Sequence, residues 1–303
     1  MKTNQYNRIL AALLLAGSLT LPAAAAHAAE LKAFATPDAA MEAFGAALQD
    51  DDEAVKEAVL GKNFREVIPP VGADLRYRFL ENWAKLHKIE MDGENKARIA
   101  VGDSGWTLPI PLVKTRAGWQ FDLKAGKEEM VVREIGRNEL AAIRVARVFV
   151  DAQREYAAKD RNGDGVPEYA QRIASSAGEM DGLYWPTGAN EEPSPLGRLL
   201  ADAAADKGRK PGSYRGYSFR ILTAQGPDAP GGARSYLADG RMTGGFGLLA
   251  WPTRYGTSGI MSFKINQDGQ VFEKNLGPGT AEQAARIKTF NPDATWRKVE
   301  GKQ

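Results

Sequence analysis

Apolar residues recur at helical spacing near the start of the chain. Met41, Phe44 and Leu48 fall on one face of a helix, and Thr36 stands where an N-cap residue is expected. A second amphipathic segment follows, and Gly61 is typical of a helix end. The pattern predicts two consecutive helices, each with one buried face.

After these helices the spacing changes to the alternation of β-strands. Residues 97–101, 106–114 and 119–123 are predicted strands. Pro109 and Pro111 place the second of them at a sheet edge or a bulge, because proline cannot donate a ladder hydrogen bond. Helices followed by an antiparallel sheet form an α+β layer, and their order resembles the cystatin-like cone folds.

A long amphipathic helix is predicted in the middle of the chain, from Asn138 as its N-cap to about Ala158. Its apolar arc is broad, so we expect this spine helix to be buried against more than one layer. Beyond it, short segments rich in glycine predict strands of an antiparallel sheet. The spine helix is therefore expected to join two halves of the chain.

The expected fold class is α+β, with one domain at residues 29–135 and a second at residues 136–303. The second domain is expected to contain the spine helix and a glycine-rich antiparallel sheet. Residues 266–269 predict a hairpin turn in that sheet. Thr280 and Gln283 predict a capping box for a last helix.

Residues 1–28 have the pattern of a secretory signal. Lys2 and Arg8 provide the positive start, residues 9–21 an apolar run, and Ala26-His27-Ala28 a cleavage site. The run is too short to cross a bilayer as a helix, and no other stretch approaches the necessary length. We expect cleavage near Ala28, a periplasmic or secreted protein, and no membrane span.

Removal of this segment leaves a chain without net charge. The 40 lysines and arginines include Lys2 and Arg8, so 38 basic residues remain against 38 acidic ones. This balance gives no global attraction for nucleic acid, which is therefore not an expected partner. One basic, tyrosine-containing segment is either a polyanion contact or, as we favour, a solvated rim. Its members are Lys207, Arg209, Lys210, Tyr214, Arg215, Tyr217 and Arg220.

Few residues of the kinds used in catalysis or zinc binding are present. The chain has no cysteine, and its one histidine beyond the signal is His87, which excludes the usual zinc ligand sets. His87 is expected to be a surface or packing residue. Paired carboxylates for hydrolysis of a wall or carbohydrate substrate remain an alternative. The acids that could supply them are Glu179, Asp181, Glu191 and Glu192.

The segment after the spine helix, the Asp160 loop (residues 160–171), carries the most suggestive constellation. Oxygen-bearing side chains at alternate positions and then Gly165 match the front half of a calcium-binding EF-hand loop. Gln171 stands where that loop has a bidentate glutamate, so we expect weak binding, with a Kd of about 10⁻⁴–10⁻³ M. An Asx-rich turn that needs no ion is the alternative. The predicted calcium ligands are Asp160, Asn162, Asp164, Glu168 and the backbone carbonyl of Val166.

Seven motifs together are similar to one family. They are Gln153-Arg-Glu-Tyr156, the loop of residues 160–170, Asp181-Gly-Leu-Tyr-Trp-Pro186, Gly216-Tyr-Ser-Phe-Arg-Ile-Leu222, Gly245-Phe-Gly-Leu-Leu-Ala-Trp-Pro252, Tyr255-Gly256 and Asn266-Gln-Asp-Gly269. With them the chain resembles the bacterial exported family catalogued as domain of unknown function 2950, over nearly all of its length after the signal. The family label names no activity.

The C-terminal half has a second resemblance. Residues 138–276, with a helix, an acidic loop and glycine-rich strands, look like the globular part of type IV pilins and type II secretion pseudopilins. Some of those proteins hold calcium in an acidic loop. The present chain departs from them because its helix is internal and its signal is not of the prepilin type, so filament assembly through that helix is not expected.

Two functional hypotheses follow. The leading one is an exported, non-catalytic envelope protein with a binding or structural role, whose partner is another envelope protein or a glycan. In this hypothesis calcium in the Asp160 loop fixes the spine helix to the C-terminal sheet. The alternative is a periplasmic hydrolase that uses paired carboxylates.

Overall fold

The computed structural model describes residues 31–188, 190–197 and 213–300. The predicted signal, residues 1–28, lies outside these ranges, as do Lys207, Arg209 and Lys210 of the basic segment. Within the described ranges the fold is α+β, as predicted. The helices are α1 (Pro37–Asp50), α2 (Glu53–Leu60), α3 (Ala73–Lys85), α4 (Leu123–Ala157) and α5 (Thr280–Arg286).

The strands of the described residues form four antiparallel sheets, two of which are two-stranded hairpins. In the N-terminal part they are β1 (His87–Met91), β2 (Lys96–Val101), β3 (Leu112–Thr115) and β4 (Gly118–Phe121). In the C-terminal part they are β5 (Ser213–Tyr214), β6 (Tyr217–Leu222), β7 (Ala224–Gln225), β8 (Arg234–Ser235), β9 (Leu237–Ala238), β10 (Arg241–Met242), β11 (Gly247–Pro252), β12 (Met261–Asn266), β13 (Phe272–Asn275) and β14 (Arg297–Lys298).

In the N-terminal part, α1 to α3 pack on a sheet of order β1-β2-β3-β4. Thr36 caps α1 as predicted, because its side chain accepts a hydrogen bond from the backbone N–H of Ala39 at 3.1 Å. The core is aromatic: the ring of Phe44 lies 5.9 Å from that of Trp83 and 5.7 Å from that of Phe121, between centroids. These contacts join two helices to the sheet. The finer likeness to a cystatin-like cone stays a prediction.

The predicted strand at residues 106–114 is shorter than expected. Only Leu112–Thr115 forms a continuous ladder, and Thr107 makes one isolated bridge to Ala100. Pro109 and Pro111 explain the interruption, since neither has an N–H to donate. Leu108, Ile110 and Leu112 are nevertheless buried, whereas Trp106 is exposed. The alternation therefore predicted most of the burial correctly and the hydrogen bonding incorrectly.

Helix α4 begins at Leu123, 16 residues before the start predicted with Asn138 as the N-cap. Its N-cap is Asp122, whose carboxylate accepts from the N–H of Ala125 at 2.9 Å. The expectation that Asn138 is an N-cap is wrong. Asn138 lies within the helix, is buried, and donates its side-chain N–H to the backbone oxygen of Ser258 at 3.0 Å. The predicted domain boundary after residue 135 therefore falls inside a continuous helix.

The two ends of α4 belong to two different cores. Near its start, Gly126 packs on Ile110, where an added Cβ would lie 3.0 Å from the Ile110 side chain. In its second half, Ala142, Ala146 and Phe149 are buried against β11 and β12. Small residues on this face let the helix approach the sheet closely. One continuous helix, α4, therefore contributes residues to both cores, which is the arrangement expected of the spine helix.

The large C-terminal sheet has the order β14-β13-β12-β11-β6-β5, and adjacent strands within it are antiparallel. Its two faces are both covered. Phe263 and Ile265 of β12 pack on the side of α4, whereas Leu249 of β11 packs on the opposite side with Phe290 and Trp296. Successive residues along β11 and β12 are therefore buried alternately on the two faces of the sheet.

Two local predictions in this part have opposite outcomes. The hairpin turn at residues 266–269 is confirmed: the N–H of Gly269 donates to the oxygen of Asn266 at 3.0 Å. The capping box of the last helix is wrong, because the N-cap of α5 is Gly279 and no side chain caps it. Thr280 instead donates its hydroxyl to the oxygen of Gly277 at 2.5 Å. Over the described ranges, no helix is both long and apolar enough to cross a membrane.

Candidate metal site

The Asp160 loop follows directly on α4 and turns sharply at two glycines. Gly163 and Gly165 adopt φ angles of 75° and 81°, which glycine enters without steric cost. Both carboxylate oxygens of Asp160 accept backbone hydrogen bonds, one from the N–H of Gly163 at 2.8 Å and one from that of Gly165 at 2.7 Å. The first predicted ligand therefore shapes the loop from within.

Three of the five predicted ligands are brought together by one amide. The side-chain N–H₂ of Asn162 donates to a carboxylate oxygen of Asp164 and to one of Glu168, both at 3.2 Å. Val166 contacts this group through its backbone N–H, which donates to the other oxygen of Asp164 at 2.9 Å. Positions three, five and nine of the EF-hand-like pattern thus converge.

An arginine from another part of the chain reaches the same carboxylate. Arg241 lies on β10, in the β9–β10 hairpin, and its guanidinium donates to Asp164 at 2.9 Å. About a third of each side chain is exposed. The backbone N–H of Val166 and, after it, Arg241 hold the pKa of Asp164 below its ordinary value. Asp164 is therefore a carboxylate at neutral pH, and its cationic partner is Arg241.

Across the described part of the chain, no group of three or more histidines, cysteines, aspartates and glutamates has a metal-holding arrangement. In the Asp160 loop, the acids are turned toward hydrogen-bond donors of the protein and not toward one another. Asp160 is directed to backbone N–H groups, and Asp164 is directed to Arg241. Of the other three predicted ligands, Glu168 accepts from the Asn162 amide, and the Asn162 amide and the Val166 carbonyl are not acids.

The loop is fastened to the rest of the molecule at several points. The side chain of Gln153, on α4, exchanges two hydrogen bonds with the backbone of Ala170, each at 2.8 Å. The N–H of Tyr169 donates to the oxygen of Met242 at 2.8 Å, and the amide of Gln171 donates to that of Gly240 at 2.7 Å. Gln171, predicted at position twelve, thus contacts the β9–β10 hairpin.

Glu192, Asp181 and Glu191, three of the four acids of the alternative hydrolase, have hydrogen-bond partners within the fold. Glu192 pairs with Lys159 at 2.8 Å and with Arg161 at 3.1 Å. These hydrogen bonds hold the pKa of Glu192 below its ordinary value. A general acid for glycoside hydrolysis needs the opposite shift, since it must hold a proton near neutral pH.

Asp181 shows the same behaviour. It accepts from the backbone N–H of Ser176 at 2.7 Å and from the Ser176 hydroxyl at 2.8 Å, and these bonds lower its pKa. Glu191 accepts from the N–H of Gly188 at 2.8 Å, and Glu179 is exposed. Glu192, Asp181 and Glu191 therefore order loops through the hydrogen bonds that they accept, and Glu192 and Asp181 both have a lowered pKa.

Sequence reasoning missed the two residues that organise the loop from outside it. Arg241 is 77 positions beyond Asp164, and a single arginine in a short strand gives no signal of its partner. Gln153 stands on the apolar side of α4, and a glutamine within an apolar helical face is the one signal that could have indicated a buried polar contact.

Comparison with known proteins adds the family. The family model described as "Protein of unknown function (DUF2950)" matches residues 31–299, which is most of the chain. No curated protein and no solved structure matches. The chain therefore belongs to the DUF2950 family, as its seven motifs had indicated.

Proposed function

We propose that this chain is an exported, non-catalytic envelope protein with a binding or structural role, and that its Asp160 loop binds calcium weakly. The signal pattern of residues 1–28 supports export. The partner is another envelope protein or a glycan. The order of a long helix, an acidic loop and an antiparallel sheet supports the pilin-like comparison, which we keep as part of this proposal.

One observation carries the calcium proposal. The amide of Asn162 stands between the carboxylates of Asp164 and Glu168, at 3.2 Å from each. Two carboxylates that share one neutral donor are a suitable setting for a divalent ion, since calcium favours several oxygens from a flexible loop. Rotation of the Asn162 amide would present its oxygen to an ion at that place. Positions three, five and nine would then all provide oxygen ligands.

The same contacts account for weak binding. Calcium would compete with Arg241 for Asp164, and Asp160 already accepts two backbone hydrogen bonds. Gln171 contributes no bidentate carboxylate. We therefore expect a Kd of about 10⁻⁴–10⁻³ M, the range of extracellular calcium modules.

Calcium bound here would act on the junction between α4 and the C-terminal sheet. The loop contacts α4 through Gln153 and the β9–β10 hairpin through Arg241 and Met242. An ion that binds only the folded loop stabilises the folded state by mass action. At 10 mM calcium this predicts a rise in Tm of about 3–8 °C.

Thermal melts of the wild type and two variants, each in chelator and in calcium, test the proposal. Glu168→Gln keeps the size of the side chain and an oxygen that can accept from Asn162, but it removes a charged ligand. It should melt like the wild type in chelator and lose the rise in calcium. Glu155→Gln, at an exposed position of α4, is the matched control and should keep the rise. An unchanged wild-type Tm at 10 mM calcium would refute the calcium site.

A further inference from the structure

A cavity of about 360 Å³ lies on the side of the large sheet that α5 covers, far along the chain from the Asp160 loop. Four cationic side chains line it, together with one carboxylate and one indole. They are Lys264 of β12, Lys274 of β13, Arg286 at the end of α5, Lys288, Asp293 and Trp296. We call this space the Lys264 cavity.

Lys264 is the most unusual member of the lining. Only 3% of its surface is exposed, although it carries an ammonium group. Its Nζ lies 4.1 Å from the centre of the Trp296 ring and 3.2 Å from the backbone oxygen of Asn291. Among the residues that the structure describes, no carboxylate lies within 4.0 Å of this nitrogen. One neutral carbonyl and one ring face therefore compensate a nearly buried charge.

The single carboxylate of the cavity is engaged elsewhere. Asp293 accepts from both the hydroxyl and the backbone N–H of Thr295, and these hydrogen bonds lower its pKa. Lys274 donates to the same Thr295 hydroxyl, at 2.7 Å. Asp293 thus contributes one full negative charge at neutral pH. Four cations against one anion leave the lining clearly positive.

We propose that the Lys264 cavity binds a phosphate group, with Lys264 as its innermost ligand and Lys274, Arg286 and Lys288 around the opening. Four ammonium and guanidinium groups from separate positions can contact an anion with several oxygens and two negative charges. Such an anion fits them better than a ligand with a single carboxylate would. The volume falls in the range of small-ligand pockets, about 300–1,000 Å³. Trp296 offers an apolar wall to the rest of the ligand.

The protonation of Lys264 provides a check on this assignment. Burial lowers the pKa of Lys264 to about 8. The negative charge of Asp293 raises this pKa by a smaller amount, and the positive charge of Lys274 lowers it slightly further. A bound dianion favours the charged ammonium, so binding and protonation are linked. Inorganic phosphate is mainly the dianion above pH 7.5, so its own charge changes little over the range in which Lys264 titrates. Its affinity should therefore fall between pH 7.5 and 9 as Lys264 loses its proton.

Titration calorimetry with inorganic phosphate, at constant ionic strength set with sodium chloride, tests the proposal. Lys264→Met removes the buried ammonium and should weaken binding at least about tenfold. Arg286→Gln changes an exposed residue at the opening, so it tests the same site without disturbing the core, and should weaken binding about threefold or more. Lys298→Gln removes an exposed positive charge outside the lining and should change binding less than about twofold.

A second arm separates a free phosphate from a lipid headgroup. Vesicles with phosphatidic acid are compared with vesicles of phosphatidylcholine alone. If inorganic phosphate binds and the binding requires Lys264 and Arg286, the ligand of the cavity is a free phosphate. If only vesicles with phosphatidic acid bind, and this binding requires the same two residues, the ligand is a lipid headgroup. The proposal is overturned if neither arm shows binding, or if Lys298→Gln weakens binding as much as Lys264→Met. Neither result bears on the proposal that the Asp160 loop binds calcium.

Discussion

The side-chain amide of Gln153 pairs with the backbone of Ala170 in both directions, as donor and as acceptor, at 2.8 Å each way. Gln153 is completely buried and Ala170 is 2% exposed. The pair has the hydrogen-bond pattern of a short strand contact, supplied by a helix side chain. It fixes the end of the Asp160 loop to α4.

Replacing Gln153 should destabilise the protein strongly. Gln153→Met keeps the volume but leaves a buried N–H and a buried carbonyl of Ala170 without their partners, at about 1–3 kcal/mol each. The free energy of unfolding, measured in urea, should fall by about 2–5 kcal/mol. Gln171→Met, an exposed position in the same loop with one hydrogen bond, should cost less than about 1 kcal/mol. Equal losses in the two variants would contradict this role of Gln153.

Removing Arg241 should strengthen calcium binding. Arg241→Gln frees the Asp164 carboxylate from its ion pair, which is about one-third exposed and adds little to stability. We expect the Kd for calcium to fall about three- to tenfold. Arg254→Gln, at an exposed position in the turn after β11, removes the same charge and should alter the Kd less than about twofold. Weaker binding in Arg241→Gln would show that the arginine supports the site instead of competing for it.

Lys264 should make stability depend on pH in a definite direction. Its pKa is about 8 in the folded protein and 10.5 ordinarily, so the unfolded chain holds the extra proton between these values. Stability from this group therefore rises from pH 8 to pH 10.5, and below pH 8 the full destabilisation of about 3 kcal/mol applies.

Lys264→Met relieves this destabilisation, which the lost contacts with Trp296 and Asn291 partly offset. Its advantage over the wild type should be about 1–3 kcal/mol at pH 7 in phosphate-free buffer and should shrink toward pH 10. Urea unfolding at the two pH values measures the difference. An advantage that grows with pH would mean that Lys264 is not held with a lowered pKa.

Export should leave a chain that begins at Ala29. N-terminal sequencing of the protein from the envelope fraction checks this directly. Ala28→Tyr places a large residue next to the cleaved bond and should block processing, whereas His27→Ala changes only the tolerant middle position and should not. Recovery of the chain from the cytoplasm with residues 1–28 intact would argue against export.

Short-range signals in the sequence predicted short-range structure. The Thr36 cap, the end of α2 at Gly61 and the turn at residues 266–269 depend on neighbours within a few positions, and the structure has all three. Asn138 shows the limit of such reasoning. Asparagine favours N-caps, but here its hydrogen-bond partner is Ser258, 120 positions away, and the helix continues through it.

Long-range contacts also explain what the sequence left hidden at the two sites. Aspartate, asparagine and glycine predicted the bend at residues 160–168, whereas Arg241 is brought to it by the fold of the hairpin. A lysine that alternates with apolar residues, as Lys264 does between Phe263 and Ile265, is typical of a strand with one face in water. Here Trp296 covers that face, and the lysine is buried.

Calorimetric titration of the chain that begins at Ala29 with calcium, and with magnesium as the comparison ion, decides whether the Asp160 loop is a calcium site. We expect one saturable calcium site with a Kd of about 10⁻⁴–10⁻³ M and no comparable magnesium binding, because magnesium requires a more rigid octahedral arrangement than this loop offers. The absence of saturable calcium binding up to 10 mM would contradict this expectation, and the Asp160 loop would then be a turn held by its own hydrogen bonds and by its contacts with α4 and the β9–β10 hairpin.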